Sequence, residues 1–349
     1  MKTPQTFTRI PSHWVGPITF KHMHYLDKTE TMVSLDAPLA TYETTLFHSV
    51  GRGAKVTRLA KTLETTILSD VMTRSLLLEA PSAVEAHRFV QTISSRVDWY
   101  QETVVSKHSR YATLVRIEPK IVGSLIYLRM VFTTGNASGH NMTTFASDLI
   151  GAALMEEFPQ LRYVSVSGNY CVDKKVSAVN SILGRGKSVI AQITLTRTLL
   201  KEVLRTTPEA LVELNLKKNL IGSIASGGLL SANAHYANML LAFYLATGQD
   251  AANIVEGSQG ITQAEIKDDQ LVFSVTLPNI IVGSVGHGKD ALDAAENVKR
   301  LGCDGEDGAQ KLAHLAGALV LCGELSLMAA LTNQNELTQS HKAIERKAK

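Results

Sequence analysis

LLLEA (76–80), SAVEAHRFVQTISSRVDWYQ (82–101), ATLVRIEPKIVGSLIYLRMVF (112–132), TTFASDLIGAALMEEF (143–158) and LRYVSVSG (161–168) follow one another in the middle of the chain. The first and last are short apolar runs of strand length. The second and fourth carry apolar residues at helical spacing, and the third alternates as two strands around a Pro119-Lys120 turn. Strand, helix, strand, strand, helix, strand is the split βαβ or ferredoxin-like order. The texture on either side differs, so residues 76–165 are expected to form a small inserted domain within a larger one made of 1–75 and 166–349. The fold class is therefore α+β: a large mixed helix and sheet domain carrying a ferredoxin-like insert.

Outward from this block, residues 1–37 read as irregular or short β segments, and a helix begins near Thr41. VIAQITLT (189–196) is a strand, PEALVELNLKKNLIGSI (208–224) leads into a helix over roughly 229–247, and AEIKDDQLVFSVTLPNIIVGSV (264–285) is a hairpin turning at Asp268-Asp269. Residues 290–301 and 308–331 are helical, and 332–349 form a polar, basic tail. There is no internal repeat, low-complexity tract or linker.

With 349 residues, 45% of them hydrophobic, the chain has ample core material. Its 35 Lys and Arg against 32 Asp and Glu leave a net charge of +3, too small to favour nucleic acid by bulk electrostatics. Three cysteines, Cys171, Cys303 and Cys322, are too few and too scattered for a disulfide framework or a zinc site. No metal is expected, and a reducing, cytoplasmic setting is. The start MKTPQTFTRIPSHW lacks the apolar core of a secretory signal. The most apolar stretches are interrupted by Asn233, His235 and Asn238, and by His314 and Glu324, so neither reads as a membrane span.

Four segments carry the candidate chemistry. In PLATYETTLFHSVGRG (38–53), Glu43 stands at a helix start, where an acidic residue ordinarily just complements the dipole. SGNYCVDKK (167–175) sets Asp173, Lys174 and Lys175 side by side; this is either a solvated charge cluster or a lysine held by a carboxylate to meet an oxyanion. GRGKS (184–188) suggests a phosphate loop, but Ser181 stands where that motif needs glycine. In KKNLIGSIASGGLLSANAHYANMLLAFYLATGQDAAN (217–253), His235 and Asn238 are expected on one helix face, with Asp250 just after a capping Gly248. GELSLMAAL (323–331) leads into a tail whose His341 would by itself be called inert.

Order and spacing of SGNYCVDKK, NAHYAN, GQDAAN and GELSLMAAL together resemble the 3-hydroxy-3-methylglutaryl-CoA reductase family, closer to its eukaryote-like class, from about Val15 to His341. The resemblance implies NADPH-dependent, four-electron reduction of that thioester to mevalonate and CoA, with NADH as a second cofactor, by a homodimer or a multiple of dimers. It implies that Glu43 donates protons, Lys174 stabilises the thiohemiacetal and aldehyde oxygen, Asp250 couples the two, and His341 protonates the departing thiolate. A buried Glu–Lys–Asp cluster is the expected form of this centre. Arg74, Ser167, Asp173, Lys175, Lys218, His235 and Asn238 fall on substrate-binding positions. Ser109 and Arg110 fall where the family reads the 2′-phosphate, and Asn136, Gly139 and Asn141 lie in the cofactor segment TGNASGHN (134–141).

The chain departs from the family pattern at several points. Asn136 replaces an Asp, Ser138 and His140 replace methionines, Gly51 replaces an Asn, and GSVGHGK (283–289) replaces an all-glycine turn. The family's N-terminal segment has no recognisable counterpart. Two alternatives stay open at this point: a same-mechanism reductase of a related acyl-CoA or carrier-protein thioester, and a catalytically silent paralogue.

Overall fold

The computed structural model describes residues 8–228, 230–286, 288 and 291–345. His287 and Lys289 of GSVGHGK, the first seven residues and the side chain of His341 lie outside the described residues.

β1 (Ser12–Met23) and β2 (Glu30–Ala40) form a long antiparallel hairpin, from Ser12 opposite Ala40 to Met23 opposite Glu30. Ile18, Phe20 and His22 alternate inward along β1. This corrects the reading of 1–37 as irregular or short segments. Gly16-Pro17 hides the alternation, but the chain absorbs it as a register shift between Val15 and Ile18 rather than ending the strand. α1 (Thr45–Ala60) buries Leu46, Val50, Ala54 and Thr57, a stripe at helical spacing. A Cβ on its Gly53 would lie 2.1 Å from the carbonyl oxygen of Cys322, so glycine is what allows α1 to touch a later core helix.

β3 (Glu64–Glu79) is a single strand shared by two sheets. Beyond it come α2 (Ala83–Ser94), capped by the Ser82 hydroxyl, then β4 (Thr113–Val122), β5 (Leu125–Thr133), α3 (His140–Glu157) and β6 (Arg162–Ser165). The second half of β3 pairs antiparallel with β5 and β6, and β4 pairs with β5, giving the order β4-β5-β3-β6. That is the ferredoxin-like order. Its own core gathers Leu76, Leu78, Phe89, Ile93, Ile126, Leu128, Ile150 and Leu154. The turn does not fall at Pro119-Lys120 as expected: Pro119 sits within β4 opposite Leu128, and Gly123 at φ 60° makes the turn. β4 is an edge strand, where a missing N–H costs little.

The first sheet is completed by β7 (Gly186–Leu195), β8 (Ile261–Lys267) and β9 (Gln270–Ile280) in the order β2-β1-β3-β7-β9-β8. Asp268 and Asp269 both have positive φ, 49° and 61°, as the tight β8–β9 hairpin requires. α4 is Tyr236–Ala246, not the longer helix expected over 229–247. Ala232 instead bridges to Ile261, and the Asn233 side chain accepts the Tyr236 N–H, so the helix starts late. α5 (Leu292–Arg300) and α6 (Gly308–Leu331) follow, and the polar, basic tail carries a further helix, α7 (Glu336–Glu345).

α6 lies against α1, α4, β3, β7 and β9 at the centre of the larger core. It is long and apolar enough to cross a membrane, yet 94% of its most apolar stretch is buried inside the protein. Of the two polar residues that interrupt it, Glu324 accepts three hydrogen bonds, while His314 pairs its Nδ1 with Thr65 Oγ1 at 3.0 Å and buries its Nε2 without a hydrogen bond.

Candidate active site

Leaving β6, the chain enters the SGNYCVDKK loop, attached to β3 by Gly168 N–H to Ser75 O. Three non-glycine residues here have left-handed backbones: Asn169 (φ 59°), Val172 (φ 45°) and Lys174 (φ 56°). For a β-branched valine this is strain, of the kind that concentrates at functional sites. The loop is pinned from outside: Asn180 Nδ2 donates to Val172 O at 2.8 Å, and the Lys174 N–H donates to Glu256 Oε1 at 3.2 Å.

Lys174 Nζ lies 2.6 Å from Asp250 Oδ2. Asp250 caps the short turn Ala251–Asn253, accepting from the Ala252 N–H. Partial burial pushes the Asp250 carboxyl up, but Lys174 and the Ala252 N–H outweigh it and hold it below its usual range.

Asp173, one residue earlier, faces Arg185 Nη2 at 2.9 Å, Arg74 Nη2 at 3.7 Å and His140 Nε2 at 3.7 Å. Burial, then the Arg185 charge, push the His140 imidazole down to about 4, with Asp173 opposing. His140 is therefore neutral near pH 7. Lys175 Nζ returns to Asp173 O at 3.1 Å, and the exposed Ser167 donates its N–H to Ser165 Oγ.

Glu43 belongs to a different place. With Arg52, His48, Ser49, His235, Asn238, Ser326 and Leu337 it lines a cavity of about 350 Å³ between α1, α6 and α7. His235 Nε2 lies 2.9 Å from the Gly323 carbonyl oxygen, which can only accept, so that nitrogen carries the proton and Nδ1 is left to accept from Asn238 Nδ2 at 3.4 Å. His235 is the cap residue of α4 and lies on the same side as Asn238, both lining the cavity. The buried Glu324 fixes this cap, taking the Ala234 and His235 N–H groups at 2.7 and 3.1 Å. Arg52 bridges Ser326 and Glu336, joining α1 to α6 and α7. Lys218, on the wide-turn helix Asn215–Gly222, donates to Asn219 Oδ1 and is not among the residues lining the cavity.

The expected buried Glu–Lys–Asp cluster is thus not formed within one chain. Among the described residues no hydrogen bond or ion pair joins Glu43 to Lys174 or Asp250, and all three side chains reach solvent. Arg74, Asp173, Lys174, Lys175 and Asp250 come together, as do Glu43, His235 and Asn238, but in two separate half-sites.

The proposed cofactor positions lie at the ferredoxin-like unit. Gly139, at φ 91°, opens the 18-residue α3, and a Cβ there would press within 2.7 Å of Thr134 Cγ2. A glycine-bounded turn feeding a long helix is a fitting cradle for a pyrophosphate. Gly135, also left-handed, faces open space, and Asn141 is exposed in the first turn. Asn136 instead turns inward, its amide bonded to Gly305 O and Ala309 N–H, so its side chain ties this loop to the start of α6. Arg110 is exposed beside Tyr111, and Ser109 Oγ accepts the Ala112 N–H.

Arg185, Glu256, Glu324 and Arg52 were not singled out from sequence for the roles they take here, and His140 was noted only as a departure. The one available signal was the charge of GRGKS in a segment otherwise reading as strand.

The sequence model of the hydroxymethylglutaryl-coenzyme A reductase family matches residues 10–346. The chain is 44% identical over 315 residues to the 3-hydroxy-3-methylglutaryl-coenzyme A reductase of Pyrococcus horikoshii, covering 88% of this chain and 76% of that protein. To the reductase of Methanothermobacter thermautotrophicus it is 43% identical over 347 residues, covering 99% and 85%. Among solved structures, the class II reductase of Streptococcus pneumoniae bound to NADPH in open conformations is similar with a TM-score of 0.71 at 16% identity, covering 95% of this chain and 87% of that one. That last likeness is one of fold.

Proposed function

The chain belongs to the hydroxymethylglutaryl-coenzyme A reductase family, and we propose that it works as a dimer in which the Lys174–Asp250 half-site of one chain faces the Glu43–His235 half-site of its partner. It reduces 3-hydroxy-3-methylglutaryl-CoA to mevalonate and CoA, consuming two NADPH and two protons. The division of the expected catalytic residues between two clusters is the observation that carries the dimer. Large apolar side chains left in water support it: Val176 and Ile182 just after the catalytic loop, and Ile221 and Ile224 just after Lys218.

NADPH, when bound, supplies the two hydrides. The ferredoxin-like unit, residues 76–165, would hold it, with the pyrophosphate at the α3 N-terminus and Arg110 near the 2′-phosphate. Each hydride addition turns a carbonyl oxygen into an alkoxide. Lys174 offers its ammonium to that oxygen, and Asp250 keeps the ammonium aimed. Glu43 supplies the proton to the alkoxide, and His341 supplies the one that converts the leaving thiolate to a thiol. Arg74, beside Asp173, receives the free carboxylate of the acyl group with Lys175, Ser167 and Lys218, while His235 and Asn238 lie at the thioester. Free, buried Cys171, Cys303 and Cys322 suit a reducing cytoplasm.

Mixed dimers test the arrangement. Lys174→Ala and Glu43→Gln chains are each inactive alone. Combined, half the dimers are mixed and hold one intact site of two, so about one quarter of wild-type activity returns. No recovery from demonstrably mixed dimers would place the site within one chain.

A further inference from the structure

Lys174 is held at both ends by one short segment. Asp250 takes its ammonium at 2.6 Å, and six residues on, Glu256 takes its backbone N–H at 3.2 Å. Glu256 is fully buried, and the same Oε1 also receives Asn253 Nδ2 at 2.9 Å and Arg185 Nη1 at 2.8 Å. Arg185 is fully buried too, and its other terminal nitrogen reaches Asp173 at 2.9 Å. Asn279 braces both partners: its Oδ1 accepts the Arg185 N–H and its amide donates to Glu256 O. Two adjacent loop residues are thereby gripped by the two ends of one ion pair, Asp173 through its side chain and Lys174 through its backbone.

Burying a guanidinium and a carboxylate together gives little stability over an apolar pair of the same volume, so their presence asks for another role. The loop supplies one. A lysine at φ 56°, two residues after a valine at φ 45°, would relax toward ordinary backbone if its N–H were released. Such relaxation would swing Nζ away from Asp250. Burial pushes the Glu256 carboxyl up, while Arg185, Asn253 and the Lys174 N–H oppose that shift, so the carboxylate depends on the contacts it organises.

We propose that Arg185 and Glu256 are positioning residues for the reduction, a buried clamp that fixes the backbone of Lys174 and the carboxylate of Asp173 so that the lysine ammonium meets the reacting oxygen. This rests on the assignment of Lys174 as the oxyanion partner.

Steady-state kinetics on the full dimer test it, with the melting temperature recorded for every variant. Glu256→Ala should lower kcat on the order of 100-fold, the scale of a small misplacement, and leave the KM for NADPH little changed. The pH profile of kcat should shift, because Asp250 loses the Lys174 partner that holds its carboxyl below the usual range. Glu256→Gln keeps an acceptor for the Lys174 N–H and should retain more turnover than the alanine variant. Val298→Ala, a core change on α5, gives the pattern of mere destabilisation: a lower melting temperature with kcat per folded dimer and pH profile intact. If Glu256→Ala does not fold, Arg185→Met with Glu256→Met removes the clamp without leaving a lone buried charge, and the same loss is expected. Wild-type kcat and pH profile in these variants, with Lys174→Ala inactive, would overturn the clamp alone. Near-normal turnover in Lys174→Ala would overturn the underlying assignment instead.

Discussion

Lys174 and Asp250 meet at 2.6 Å with 38% and 43% of their side chains still exposed. An ion pair so open to water is screened and contributes little to stability, so its closeness serves the exposed side of the ammonium, where a substrate oxygen can approach.

Removing that ammonium should therefore cost catalysis and not the fold. Lys174→Ala is expected to lower turnover by about two to three orders of magnitude, the usual loss when an oxyanion partner is removed, with an almost unchanged melting temperature. NADPH oxidation assayed beside a thermal melt reads both. Near-normal turnover in the folded variant would remove Lys174 from the chemistry.

Arg110 is predicted to choose the cofactor. It is exposed at the ferredoxin-like unit, and its nearest aromatic neighbour, Tyr111, leaves the guanidinium free to pair with a 2′-phosphate. Arg110→Ala should raise the KM for NADPH and leave that for NADH little changed. Equal changes for both cofactors would refute the role.

The ferredoxin-like order was legible because each of its elements has a pure local texture and short connections. The β1–β2 hairpin was not, since Gly16-Pro17 interrupts its alternation, and α4 was read too long because SANAH looks helical until Ala232 is seen bridging to Ile261. At the site, Lys174, Asp250, Glu43 and His235 were reachable only as members of recurring strings, each being unremarkable alone. Arg185 and Glu256 stand 71 residues apart in sequence, and no local pattern announces a contact made only in the folded core. The splitting of the site in two is likewise invisible to a linear reading.

Acid should loosen the larger core through the histidines between β1 and α6. Burial, then the neighbouring His22 and His24, push His314 down to about 3, and burial lowers His22 as well. Above pH of about 6.5 both are neutral folded or unfolded, and their contribution is fully present. As the pH falls from there toward about 3, the unfolded chain takes up a proton that folded His314 refuses, and stability drops by about 1.4 kcal/mol per pH unit for that group. Urea midpoints at pH 7, 6 and 5 should fall in that order. His314→Gln, which cannot titrate, should show a shallower decline over the same range; an equal decline would mean that other groups govern it.

The tail is predicted to act on one half of the reaction only. Glu336 begins α7, meets Arg52 Nη1 at 2.7 Å and accepts from Asn333 Nδ2 at 3.0 Å, while Leu337 lines the Glu43 cavity, so α7 is docked at the rim of that half-site. His341 follows four residues further along the same helix. Its assigned task is to protonate the CoA thiolate, which would otherwise add back to the mevaldehyde intermediate and reverse the first reduction; an ordinary imidazole suits that near neutral pH. His341→Gln should then slow reduction of the thioester far more than reduction of supplied mevaldehyde, where no thiolate leaves. Glu336→Gln weakens the tie to Arg52 and should produce the same imbalance in milder form, because the helix carrying the histidine is then less often in place. Measuring both half-reactions separates the cases: equal losses in the two would make α7 a structural element of the cavity, and no loss in either would leave the thiolate to be protonated by another group.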